Sequence, residues 1–369
     1  MNWYEVENIS EVDSPALLIY PDRIRHNIRT MIAQVGGNPK RLFPHVKTHK
    51  MPEVVQMQMD AGIDRFKCAT IAEMEMCLEA GAKTLLLAYQ LTGPKIKRFI
   101  QLAKNYPEAD LSSLVDNITS ARELAAACKT ADLKGSIYLD VDNGMHRTGF
   151  PLGAETFGLV RDIADLEELT FKGLHVYDGQ FRERDVNRRR SESDKAFEPV
   201  YSLVSRIEKL LGRPVEIING GSPSFSPAAL REDVFCSPGT VLLWDAGYAG
   251  IVPELDLQWA AVLLTRIISK PSPGIVTVDL GHKAVGSENP MDKRVYFLNL
   301  EGYTAYKHSE EHLMLKVVDW DALSVGDVLY GIPHHVCPSV ALHDEACVIV
   351  NNRWTDIWKV VARKRKITV

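Results

Sequence analysis

The chain has 369 residues, 46% hydrophobic and 25% charged, ordinary globular proportions at a length suited to two domains rather than one small core. Its net charge of −5 gives no electrostatic footprint for nucleic acid, and no apolar run of about eighteen residues offers a membrane span. The acidic N-terminus MNWYEVENISEVD lacks the basic-then-apolar order of a secretory signal, and six cysteines lie scattered without a CxxC pair; both fit a reducing compartment, the cytoplasm.

SPALLIY (14–20) and PDRIRHNIRTMIAQVGG (21–37) give a leading strand and helix. Runs rich in Leu, Val and Ile then recur as expected strands at 41–46, 65–69, 84–89, 111–116, 136–142, 170–177, 215–219 and 240–244. Amphipathic segments separate them at 51–62, 71–82, 93–106, 120–131 and 194–212, several stopped by glycine. Strand–helix alternation predicts parallel strands with helical crossovers. Eight strands favour a closed (β/α)8 TIM-type barrel over 20–245, with a doubly wound open sheet as the alternative. From residue 246 the texture changes to strands joined by Gly, Pro and Asp turns, at 257–269, 274–281, 294–303, 311–319, 325–332 and 345–352. These predict an all-β domain over 246–369, joined by residues 1–19. The short basic run at 363–366 reads as a solvated end.

In such a barrel, chemistry sits just after the C-terminal ends of the strands. There the chain places His45-Val46-Lys47-Thr48-His49-Lys50, Tyr89-Gln90, Asp140 to Arg147, His175 to Gly179, Asn219-Gly220-Gly221-Ser222, and Ser237-Pro238-Gly239-Thr240 before the expected eighth strand. Two glycines and a serine let backbone N–H groups approach an anion, and barrels often hold phosphate after strands seven and eight. The bland reading of GGS is a turn. Lys47 would then be a phosphate clamp, or an amine that bonds an aldehyde cofactor, with His45, His49 and Lys50 depressing its pKa. A lone lysine is ordinarily a solvated surface residue; the combination singles out Lys47. Arg147 reads as a contact on the far side of a cofactor or as a surface ion pair. Tyr177 reads as a ring neighbour or as a half-buried barrel residue.

In the second domain, Gly331-Ile332-Pro333-His334-His335-Val336-Cys337-Pro338 follows an apolar strand. In an extended segment, residues i and i+2 share a side, so His335 and Cys337 make a candidate metal pair whose N and S donors suit zinc. The alternative is a histidine beside a buried free cysteine. His282-Lys283 and His343-Asp344 are weaker candidates.

Taken together, these motifs resemble the fold-type III pyridoxal-phosphate enzymes, in the branch containing D-threonine aldolase and D-serine dehydratase. PHVKTHK resembles the cofactor-lysine motif, implying Lys47. VDNGMHRTG implies Arg147 beside the cofactor, and HVYDG implies Tyr177 at its ring. NGGSPS and PGT imply the phosphate contacts Asn219, Gly220, Gly221, Ser222, Gly239 and Thr240. HVC implies the metal pair His335 and Cys337. The run after Pro238-Gly239 lacks the tyrosine that relatives often carry there. The resemblance implies pyridoxal 5'-phosphate, a divalent metal (zinc first, manganese second) and a homodimer. It implies a lyase on D-β-hydroxy amino acids of D-threonine aldolase type. A D-serine dehydratase, a racemase and a non-catalytic pyridoxal-phosphate-binding protein are the alternatives.

Overall fold

The structure, a computed structural model, describes residues 1–369. The chain divides into two compact units. One comprises Met1–Thr30, Thr48–Met51 and Thr240–Arg363; the other comprises Met31–Lys47, Pro52–Gly239 and Lys364–Val369.

In the second of these, strands Arg65–Cys68, Thr84–Gln90, Asp110–Val115, Gly135–Asp142, Leu169–Tyr177, Glu216–Asn219 and Phe235–Cys236 pair in sequence order, all parallel. Residues 42–45 supply the eighth stave. Leu42 bridges Cys236 and His45 bridges Lys67, both parallel. The Phe43 N–H donates to the Cys236 carbonyl at 2.8 Å, and the Lys67 N–H donates to the Pro44 carbonyl at 2.8 Å. The last strand therefore connects to the first, and the (β/α)8 barrel is closed. Phe43, Leu86, Leu114, Tyr138 and Ile218 pack inside it as one buried cluster.

Helices between the staves follow their sequence signals. Pro94–Asn105 opens with proline in its first turn, Ile71–Glu79 is capped by the Thr70 hydroxyl, and Ile118–Ala131 by the Asn117 side chain. The helix expected from residue 194 begins at Val186, where the Asp185 carboxylate accepts the Asn187 and Arg188 N–H groups. Its first two turns are almost wholly polar, so no apolar stripe marks them in the sequence.

The expected eighth strand at 240–244 is not a strand. Thr240–Leu242 forms a buried 3-10 turn, and the last stave is Phe235–Cys236. Two residues are too few to read as a strand, while the apolar run VLLW imitates one. The correction moves Ser237–Gly239 to the C-terminal end of the last stave.

The other unit is built on a nine-stranded sheet. Ala16–Ile19 pairs antiparallel with Ala261–Ser272 and parallel with Glu345–Val350, so the N-terminal strand belongs to this sheet. Its core gathers Tyr4, Leu18, Val262, Tyr330, Ile332 and Ile349. No helix is long and apolar enough to cross a membrane.

Candidate active site

Lys47 lies in the single 3-10 turn Val46–Thr48, directly after the closing stave, and its N–H donates to His45 Nδ1 at 3.3 Å. It faces a cavity inside the barrel unit, shared with Lys67, Asp140, Arg147, His175 and Tyr177.

Arg147 reaches the cavity from the loop after Gly135–Asp142. Asp142 builds that loop: its carboxylate accepts the Gly144 and His146 N–H groups at 3.0 and 2.9 Å and bonds His146 Nδ1 at 2.9 Å. Gly149 closes it at φ +101°, where a Cβ would stand 2.7 Å from the Asp142 backbone nitrogen. The Arg147 guanidinium lies 4.7 Å from the Tyr177 ring centroid, and Lys67 Nζ lies 5.9 Å from the same ring.

A polar layer is buried at the cavity base. His175 Nδ1 is 2.7 Å from Asp140 Oδ1, His175 Nε2 is 3.4 Å from Lys67 Nζ, and Gln90 Nε2 donates to Asp140 Oδ2 at 2.8 Å. A register shift in Thr84–Gln90 carries Gln90 opposite Leu114. Burial, then the neighbouring Lys47 charge, push the Lys67 ammonium down to about 7. Burial and Lys67 also lower His175. Burial raises Asp140, but bonds from His175, Gln90 and Thr148 outweigh it and hold its carboxylate below the ordinary range. Sequence reasoning missed Lys67. In RFKC it reads as the exposed position of an alternating strand, but a barrel stave has a buried inner face as well.

The glycine loop follows Glu216–Asn219. The Ser222 hydroxyl accepts the Gly239 N–H at 3.3 Å, which ties the two expected phosphate segments together. The Gly221 N–H donates to Ser224 Oγ at 3.1 Å. Gly220 takes φ +87°. A Cβ on Gly221 would meet Tyr177 Cε2 at 2.9 Å, so this glycine lets the loop lie against the ring. Asn219 is buried and braces the scaffold: Nδ2 donates to the Val176 carbonyl and Asp178, and Oδ1 accepts from Arg231.

The expected helpers of Lys47 divide. His49 is fully buried, bonded to Met51, and pushed by burial down to about 3. It belongs, with Thr48, Lys50 and Thr240, to the sheet-bearing unit.

In that unit His335 is extended (φ −134°), but Val336–Leu342 is a helix, so Cys337 sits in a first helical turn rather than in the extended segment expected. Pro338 is tolerated there because first-turn N–H groups have no intrahelical partner. The pair still meets, with the two side chains hydrogen-bonded. Glu288 Oε1 holds His335 Nδ1 at 2.5 Å. Cys337 Sγ lies 3.2 Å from Thr48 Oγ1 and 3.5 Å from Thr240 Oγ1. Burial disfavours the imidazolium, but Cys337 and Glu288 overcome it and raise His335 to about 9. Nowhere do three or more His, Cys, Asp or Glu side chains converge as a metal cluster. His343 bonds the Ala284 carbonyl and Lys283 pairs with Glu310.

The donors suit the groups the sequence implies. An amine, a guanidinium and a phenol share one cavity, with a glycine loop against the phenol. An imidazole and a thiol meet with a carboxylate behind the imidazole, the usual support of a metal-binding histidine.

The alanine racemase N-terminal domain matches residues 19–242, and a putative serine dehydratase domain matches 260–349. The chain is 26% identical to a D-threonine aldolase of Arthrobacter sp over 361 residues, covering 96% of this chain and 94% of the relative. It is 26% identical to a 3-hydroxy-D-aspartate aldolase of Paracoccus denitrificans, covering 96% and 93%. It is 24% identical to a D-threo-3-hydroxyaspartate dehydratase of Delftia sp., covering 91% and 93%. The crystal structure of D-threonine aldolase from Filomicrobium marinum superposes with a TM-score of 0.89 at 26% identity, over 98% of each chain.

Proposed function

Because the chain belongs to the alanine racemase N-terminal domain family, we propose that it is a pyridoxal-phosphate- and metal-dependent lyase acting on D-β-hydroxy amino acids, cleaving them to glycine and an aldehyde as an aldolase. The observation that carries this is the convergence of Lys47, Arg147 and Tyr177 on one cavity, in a chain similar along its length to two aldolases.

Lys47 would hold the cofactor through its amine. Tyr177 and Arg147 would contact the ring, and Gly220 to Ser222 with Gly239 would take the phosphate, braced by Asn219. Bound pyridoxal phosphate supplies an electron sink at the substrate Cα. Arg147 supplies a fixed cation for an anionic group of ring or substrate. Freed from the cofactor by the incoming amine, Lys47 can move a proton. His335 and Cys337 would hold the divalent metal, zinc or manganese, whose chemistry is Lewis acidity. We assign a homodimer as the working form, which sedimentation would test.

The similarity to a 3-hydroxyaspartate dehydratase supports the second reading, elimination to an oxo acid and ammonia. Product analysis on D-threonine, D-serine and 3-hydroxy-D-aspartate separates the two: glycine with an aldehyde against an oxo acid with ammonia. Borohydride should fix the cofactor on Lys47. A label on another residue, or none, overturns the assignment.

A further inference from the structure

Lys67 is 1% exposed in the stave Arg65–Cys68, between buried Phe66 and Cys68. A buried lysine is costly without a partner, yet Lys67 makes no ion pair. Its hydrogen bond goes to His175, and the carboxylates of Asp140 and Asp178 act on it only through space.

The groups behind Lys67 fix how it is held. Asp140 Oδ1 is an acceptor at 2.7 Å from His175 Nδ1, which assigns the imidazole proton to Nδ1 and leaves the Nε2 lone pair facing Lys67. Gln90 Nε2 holds the other Asp140 oxygen and also reaches Asp116 Oδ2 at 3.0 Å. The carboxylate cannot turn without breaking these bonds. Carboxylate, imidazole and amine thus form a line that ends at the cavity shared with Lys47.

We propose that Lys67 is the second acid–base residue of this cavity, positioned for that task by His175 and, behind it, Asp140. The inference rests on the cavity holding an amino acid through the cofactor on Lys47. Cleavage that yields glycine must add a proton at Cα, where the bond to Cβ was; elimination must remove one. As the acid, the Lys67 ammonium gives one proton to the electron pair left at Cα, forming the C–H bond, and becomes a neutral amine. Water later restores that proton. As the base, the neutral amine takes the Cα proton and becomes ammonium. In both states an N–H remains for His175. The charged and titratable groups facing Lys67 are Lys47 and Arg147, which favour the neutral amine, Asp140 and Asp178, which favour the ammonium, His175, and the Tyr177 phenol, whose ring lies 5.9 Å away. Burial first, and then these charges, leave both forms available near neutrality, where a general acid–base is most effective.

The test uses exchange of glycine α-hydrogens in D2O, followed by proton NMR on the cofactor-loaded enzyme. This reaction needs no β-hydroxyl and so does not depend on the lyase reading. Lys67→Met should slow exchange by about 10²–10⁴-fold while Lys47 still takes the borohydride label. Lys67→Arg keeps the charge but cannot lose a proton, and should be equally slow. A second readout is independent of turnover. Competitive acetylation of the full chain across pH, read by peptide mass spectrometry, should titrate Lys67 near neutrality, with the midpoint displaced in His175→Gln and Asp140→Asn. Wild-type exchange in either Lys67 variant overturns the proposal, as does a midpoint unmoved by both network variants. Loss of cofactor from both Lys67 variants overturns it too, since Lys67 would then hold the cofactor rather than move a proton. If wild type exchanges glycine but splits no β-hydroxy substrate, the lyase reading fails and Lys67 keeps its role.

Discussion

A Cβ at Gly221 would stand 2.9 Å from Cε2 of the Tyr177 ring. Carbon atoms do not pack that closely, so the ring, which Arg147 also covers, dictates glycine at this position. Gly221→Ala should displace the ring or the loop and weaken cofactor binding by about 1–3 kcal/mol, the usual cost of overpacking. In a Tyr177→Ala background the same substitution should cost almost nothing, because the clash is gone. Cofactor titration by absorbance on the four proteins of this cycle provides the measurement. Additive losses would show that something other than the ring excludes the methyl group.

The closing stave carries Lys47, and its core anchor is Phe43, 1% exposed and packed with Leu86, Leu114, Tyr138 and Ile218. The Ser237 hydroxyl donates to its carbonyl at 2.8 Å. Phe43→Ala leaves a cavity where the first and last staves meet, and should destabilise the chain by about 3–5 kcal/mol in denaturant unfolding. Ser237→Ala removes one buried bond and should cost about 1 kcal/mol. Similar losses for both variants would mean that the hydroxyl, not the ring, secures the closure.

Most staves were legible because apolar runs alternate with amphipathic helices, and the loops that line the cavity followed from where such runs end. Three features hid themselves for physical reasons. Phe235–Cys236 is only two residues long, while Val241 to Trp244 is apolar because it is buried as a turn. Cys337 reads as extended because it follows a strand, although Pro338 inside a first helical turn was a usable signal. Lys67 was invisible because alternation implies an outward face, and polarity cannot reveal that both faces of a barrel stave are enclosed. Its partners Asp140 and His175 stand on staves far apart in sequence and meet only when the barrel closes.

Asp178 offers a pH test. Burial raises its carboxyl to about 6, against bonds from Ser224 and Asn219 that work the other way. The folded state therefore keeps this proton at pH values where the unfolded chain, near the ordinary 3.8, has released it. The associated stability is complete below pH 4 and is lost as pH rises through 6. A tenfold change in proton affinity is worth about 1.4 kcal/mol, so the whole effect is at most a few kcal/mol. Asp178→Asn should flatten the fall in unfolding free energy between pH 4 and 6 relative to wild type. Equal slopes in denaturant unfolding of the two proteins would place the titrating group elsewhere.

Glu288 tests the metal assignment from behind. Its carboxylate holds His335 Nδ1 at 2.5 Å, which commits that nitrogen and leaves Nε2 as the ring atom that would meet a metal. A carboxylate in this position fixes the ring and strengthens its basicity, and losing one weakens metal binding by about 10–100-fold. Glu288→Gln should therefore bind zinc less tightly by that factor, read by competition with a chromogenic chelator. Cys337→Ser removes the soft donor and should lose zinc more severely than manganese, because thiolate favours zinc over the harder ion. If Glu288→Gln binds zinc as wild type does while Cys337→Ser still loses it, the cysteine holds the metal without His335, and the partner donor must be sought among other side chains.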